Sequence, residues 1–365
     1  MTFNFPNLAR WNIHLLILVI GMSLGCTPKS NPIGQAEQNV TGAKARVVNL
    51  AVWANYLPAE LLSEFEKRTG IKTQVSNYAS NEELLAKLQA GASGFDLVFP
   101  SDYMIVAMVK LGLLRELDYS KISNFKLVDS KYLKKNYDPQ NKYSIPYDWG
   151  TTGIAINRSI FSGQVKGWKD LFNNPQLSGK ISLLDDAREV LGAALKAQGY
   201  SLNSKSAQEL GKAKELLVKM RSRVKLFTSE PLMPLTNGEV AVSQIYMSDA
   251  LIARKRTGGK VEYVIPEEGG TFWVDNLVIP SGATHVEEAY QLMNFLLEAT
   301  SNVTTVMSVF VAPTNREAIH LLPKELQNDP MLFPSPGVLA RCEMIEDLGN
   351  DLSLWERMWT EVKAN

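Results

Sequence analysis

The chain has 365 residues, 45% of them hydrophobic and 21% charged, which gives length for two domains and apolar surface for a sizeable core. Lysine plus arginine equals aspartate plus glutamate at 38 each. A neutral total argues against nucleic acid or an anionic membrane surface as the main partner, since either would favour a basic face.

The first 25 residues read as a signal peptide. Arg10 is the sole charge ahead of WNIHLLILVIGMSLGC, whose apolar stretch 13–24 is too short to span a bilayer comfortably. Ser23-Leu24-Gly25-Cys26 resembles a bacterial lipobox, which makes Cys26 the expected lipidated N-terminus, with cleavage and no lipid as the alternative. Residues 26–45 are polar and punctuated by Pro and Gly, as a flexible tether would be. Cys342 is the one other cysteine, so the fold is expected to owe nothing to disulfides, a Cys26–Cys342 bridge being the alternative. Cys342 itself reads as a small, partly buried core residue.

From residue 46 onward, strand and helix patterns alternate. VVNLAVW (47–53) reads as a buried strand, and 58–70 as a helix opened by Pro58 and stopped by Gly70. IKTQVSNY alternates like a strand, and the next helix opens with Ser80 and Glu83 at capping-box spacing. FDLVFPS is a further strand, followed by the apolar helix YMIVAMVKLG. Past YSIPYDWGTTGIAIN the alternation restarts: GKISLLD, EVAVSQIYM, VEYVIP and FWVDNLVIP read as strands. AREVLGAALKAQG, SAQELGKAKELLVKMRSR and the stretch 285–310 read as helices. Strands alternating with helices predict a mainly parallel α/β sheet, here two lobes with ligand bound in a cleft beyond strand ends.

Catalytic signatures are sparse. GMSLG (21–25) matches a nucleophile elbow but lies in the leader, and no glycine-rich phosphate loop or zinc-spaced Cys/His cluster occurs. Of three histidines, His14 is in the leader, while His285 and His320 fall in helix-start or surface contexts. Three carboxylates stand out instead. Asp186 precedes Glu189 by three residues where a strand enters a helix, a spacing that equally suits an N-cap and a first-turn acid. Asp275 is mid-strand among apolar neighbours, two residues after Trp273 and so on the same face. A buried charge there needs a cation.

The aromatics recur where strands run out: Trp53 and Tyr56, Tyr103 beside Ser101, Tyr246, and Trp273. Each alone fits a core. Together they suit a cleft for an organic cation with an apolar stem.

These residues, with FEKRTGIK, FDLVFPSDY, YSIPYDWGTTGIAIN, DDAREV, FWVDNLVIP and NFLL in one order, resemble the spermidine/putrescine-binding periplasmic proteins that feed ABC importers. The resemblance implies a type II periplasmic-binding-protein fold, with 46–152 plus 276–319 as lobe one and 153–275 plus 320–365 as lobe two. It implies an aromatic box at Trp53, Tyr56, Tyr103, Tyr246 and Trp273, and ammonium-binding carboxylates at Asp186, Glu189 and Asp275, with Ser101 nearby. It departs from the family's pattern at Asn55, Val311 and Ile345, which remove polar contacts at the pocket's edge.

The expectation is therefore an extracytoplasmic polyamine receptor, lipid-anchored, that delivers cargo to a permease and its ATPase. Spermidine is expected to bind ahead of putrescine, because three carboxylates match three ammonium groups. No cofactor, metal or covalent chemistry is expected. A sensor docking on a signalling receptor and a same-fold binder of another cation, such as ferric iron, remain open. So does a hydrolase using Asp186 and Asp275 as a carboxylate pair.

Overall fold

The computed structural model describes residues 46–91 and 94–364; the leader, the tether and Cys26 lie outside them. Two sheets carry the fold. The first is parallel and three-stranded in the order β2-β1-β3, with β1 at Val47–Trp53, β2 at Lys72–Tyr78 and β3 at Leu97–Val98. Val48, Leu50 and Val52 point into one apolar cluster and Ala51 into another, the two-residue alternation of a covered strand. The expected strand FDLVFPS shrinks to two residues, since Ser101 already leads into the helix Asp102–Lys110.

The second sheet holds seven strands: β4 (Ile145–Asn157), β5 (Ile181–Leu184), β6 (Val224–Thr228), β7 (Val242–Tyr246), β8 (Val261–Val264), β9 (Thr271–Leu277) and β10 (Ala312–Pro313). It is mixed where a mainly parallel sheet was expected. β5 pairs in parallel with β6 and β7, but β4 is antiparallel to β7, β8, β9 and β10. All 13 residues of β4 are buried, so it shows no alternation.

β4 and β9 thread both halves. Ile145, Tyr147 and Leu277 sit in the core of the first sheet, whereas Ile154 and Ile156 sit in the core packed under the helix Ala187–Ala197. Bridges from Val98 to Val278 and from Ser101 to Asp275 join the two halves.

Most helix expectations hold. Ala59–Thr69 ends at Gly70 with φ 70°, and Ser80 caps Asn81–Gln89 by accepting from Glu83 N. Glu83 reaches back to Ala79 N, one residue beyond the usual capping box. The stretch 285–310 divides into Val286–Leu296 and Ala299–Val309. Cys342 is half-buried and unpaired, and burial pushes its thiol up.

Candidate ligand-binding site

A cavity of about 360 Å³ opens where β1, β5, β7 and β9 meet the starts of helices. All nine residues singled out in the sequence line it: Trp53, Tyr56, Ser101, Tyr103, Asp186, Glu189, Tyr246, Trp273 and Asp275. So do the three departures, Asn55, Val311 and Ile345. Asn55 has φ 57°, a left-handed backbone that Asn tolerates better than most residues.

The wall has one electrical sign. Glu83, Asp102, Asp185, Glu230 and Asp249 join Asp186, Glu189 and Asp275, and the lining contains no lysine, arginine or histidine among the described residues. Glu83 and Asp185 have cationic partners elsewhere, Lys87 and Lys363. Among the described residues Asp102, Asp186, Glu189 and Asp275 form no direct ion pair, although the charge of Arg188 acts on Asp186 and Glu189.

Asp275 is 5% exposed. Its Oδ1 accepts from Ser101 Oγ at 2.7 Å, its bridge partner across the two halves. Burial pushes its carboxyl up to about 7, against the opposing hydrogen bond of Ser101. Directly opposite in the ladder stands Asp148, which the sequence reading passed over. It does not line the cavity. Tyr56 donates its hydroxyl to Asp148 Oδ1 at 2.8 Å.

The second acidic group belongs to a helix start. Asp186 Oδ1 accepts from the backbone N–H of Arg188 at 2.8 Å and of Glu189 at 3.1 Å, so it caps Ala187–Ala197 and faces the cavity at once. The capping reading of that residue holds, and its side chain also lines the cavity. Glu189 receives Thr152 Oγ1 on Oε1 at 2.8 Å and Thr271 Oγ1 on Oε2 at 2.7 Å, which fixes its orientation from β4 and β9. Burial, then repulsion from Asp186, pushes Glu189 up to about 8.

Arg188 lies behind this group. Its guanidinium stacks on Trp355 at 4.8 Å and on Tyr103 at 5.6 Å and donates to Glu346 O and Asn203 Oδ1. Its charge pulls the Asp186 carboxyl down against the burial that raises it. Glu82, also overlooked in the sequence, accepts from the Tyr103 hydroxyl and is pushed up to about 7 by burial first and Asp186 second.

The rings are held at their edges. Trp53 Nε1 donates to Phe99 O at 3.1 Å, and its ring lies 4.6 Å from Tyr78. Tyr246 meets Trp273 edge-on at 6.4 Å and 82°. The Trp273 indole rests on Gly150, where an added Cβ would come within 2.4 Å of the ring. Glycine at 150 is what leaves that ring its place.

Asp249 is a further carboxylate in the wall, three residues after Tyr246 and pushed up to about 6 by burial. An acid in a helix's first turn is ordinary, so nothing in the local sequence marked it. The described residues contain no cluster of three or more His, Cys, Asp or Glu side chains placed to hold a metal ion.

Residues 60–334 match the family described as bacterial extracellular solute-binding protein, and the chain belongs to that family. It is a binding protein and not an enzyme. It is 37% identical over 334 residues to spermidine/putrescine-binding periplasmic protein 1 of Haemophilus influenzae, covering 90% of this chain and 92% of that one. It is also 37% identical over 361 residues to the spermidine/putrescine-binding periplasmic protein of Escherichia coli, covering 97% and 99%. Among solved structures, a putative spermidine/putrescine ABC transporter protein from Listeria monocytogenes superimposes with a TM-score of 0.84 at 34% identity, covering 87% of this chain and 99% of its own. The fold is thus the two-lobed type II periplasmic-binding-protein fold, with the ligand cleft between lobes, and the setting is extracytoplasmic. No helix among the described residues is long and apolar enough to cross a membrane.

Proposed function

We propose that this chain is a polyamine receptor that delivers its cargo to the permease and ATPase of an ABC importer. The observation that carries the reading is the cavity wall: aromatic faces and carboxylates, with no cationic side chain among the described lining residues. A polyamine loses the hydration of each ammonium on binding, and a carboxylate must replace it. Its methylene stem takes van der Waals and cation–π contacts from the rings, the latter about 0.5–2 kcal/mol each.

Trp53, Tyr56, Tyr103, Tyr246 and Trp273 box the stem in this reading. Ser101 and Asp275 take one ammonium, and Asp186 with Glu189 take another. Residues 46–152 with 276–319, and 153–275 with 320–365, act as two lobes that close on the ligand about β4 and β9. Spermidine binds ahead of putrescine by about tenfold, or about 1.4 kcal/mol, because the diamine leaves one carboxylate buried without a cation. Cys26 carries the lipid that keeps the receptor at the membrane.

Calorimetric titration with putrescine, spermidine and spermine tests the reading. Saturable binding with spermidine ahead of putrescine supports it. Equal or tighter putrescine binding removes the preference, and no heat from any of the three overturns the function. For the anchor, a diacylglyceryl mass on Cys26 in membrane-extracted protein is the expected finding, and an intact thiol there contradicts it.

A further inference from the structure

The inner end of the cavity holds a carboxylate that faces no ligand space. Asp148 is 2% exposed, and its Oδ2 is buried with no hydrogen-bond partner among the described residues. It stands opposite Asp275 in the antiparallel ladder, where facing side chains share one side of the sheet about 5 Å apart at Cβ. Tyr56 feels both charges. Its one hydroxyl hydrogen goes to Asp148 Oδ1, while Asp275 Oδ1 takes the hydroxyl hydrogen of Ser101. The two facing carboxylates therefore receive one neutral hydrogen each, which leaves Asp148 Oδ2 without a donor and both charges without a cation.

No positive side chain supplies the deficit. The groups that act on Asp148 and Asp275 are each other, Tyr56 and Ser101. The titratable groups packed around them are Tyr147, Tyr78, Tyr137, Tyr246 and Asp102, either neutral phenols or a further acid. Like charges this close in a buried site are not both ionised without compensation.

We infer that Asp148 and Asp275 work as one dicarboxylate that holds a shared proton while the site is empty and releases it when an ammonium docks on Asp275. The inference rests on the polyamine reading above. The step balances: the pair with one proton carries one negative charge, the ammonium arrives with its own positive charge, and the displaced proton leaves to solvent. Asp148 is then a positioning residue, acting on the cation through Asp275 and Tyr56. Burial raises both carboxyls, as the pair requires. Cation capture becomes tighter as pH rises, since alkaline conditions remove the proton in advance.

Calorimetric titration of wild type with spermidine, in buffers of different ionisation heat at about pH 7, counts the protons released. The expected result is a net release, with affinity rising up to about tenfold per pH unit between about pH 5.5 and pH 7.5. Asp148→Asn keeps an acceptor for Tyr56 and removes the second charge. It is expected to release fewer protons, to bind more tightly than wild type at the acid end and more weakly at the alkaline end. Buffer-independent heat in wild type overturns the inference, as does equal release by the variant. Infrared difference spectra of the two empty proteins separate this from the functional reading. A protonated carboxyl band present in wild type and reduced in Asp148→Asn supports the pair without any ligand, and its absence overturns it. If no polyamine binds, the release step falls with the functional reading, while the band still decides whether the pair holds its proton.

Discussion

The two acidic ends of the cavity use the same chemistry in opposite settings. Asp186 and Glu189 stand in the first turn of Ala187–Ala197, where backbone N–H groups point at Asp186 and Arg188 lies close behind. The protein compensates that end itself. Asp275 and Asp148 stand mid-strand, with one serine, one tyrosine and no cation. The first end is a structural cap that also faces ligand space. The second has no structural use for its charge, which a proton or an arriving cation must offset.

Substitutions separate the ends. Asp275→Asn keeps the size and the bond from Ser101 but leaves an ammonium desolvated against a neutral amide. Losing the partner of a buried charge costs about 3–5 kcal/mol, so polyamine affinity should fall about a hundredfold or more while the melting temperature does not drop. A variant that binds as wild type does would make Asp275 purely structural. Asp186→Asn should cost less, about tenfold, because Asn caps as well as Asp and the Glu189 carboxyl remains at that end to meet an ammonium. A loss as large as that of Asp275→Asn would remove the distinction between the ends.

Gly150→Ala tests the rings rather than the charges. Its Cβ would press on the Trp273 indole, and overpacking of this kind costs about 1–3 kcal/mol. Affinity should drop about fivefold as the ring shifts into the cavity, with tryptophan fluorescence reporting the displacement. Unchanged affinity would mean that Trp273 is not a wall of the occupied site.

The smallest effect is on stability. Burial places Asp275 at about 7 and Glu189 and Asp102 at about 8 in the folded protein, above the ordinary carboxylate range. Between about pH 4 and pH 8 the folded chain therefore binds more protons than the unfolded one, and stability falls as pH rises. Scanning calorimetry of the ligand-free protein should show a lower melting temperature at about pH 8.5 than at about pH 5.5, a trend that saturating spermidine weakens. A melting temperature that rises across that window would contradict the upward shift of these buried carboxyls.

Elements with strong local period were legible from residues alone. β1 falls on the expected 47–53, and Ser80 caps the helix that its spacing with Glu83 announced. β4 gave no such signal: buried along its whole length, it has no alternation to read, and its antiparallel pairing with β9 is a non-local fact. The same contrast holds in the site. Asp275 was conspicuous as a lone acid in an apolar run, whereas Asp148 in PYDWG was passed over, and only the register of two distant strands makes them a pair. Glu82 and Asp249 occupy the first turns of helices, where acids are common, and burial alone marks them out.

The most direct test is a crystal structure of this chain with spermidine. The account predicts one ammonium within hydrogen-bonding distance of the Asp275 carboxylate and Ser101, a second at Asp186 and Glu189, and the methylene stem between Trp53, Tyr246 and Trp273. Spermidine seated elsewhere, or lying in the cavity with no amine on Asp275, would contradict it.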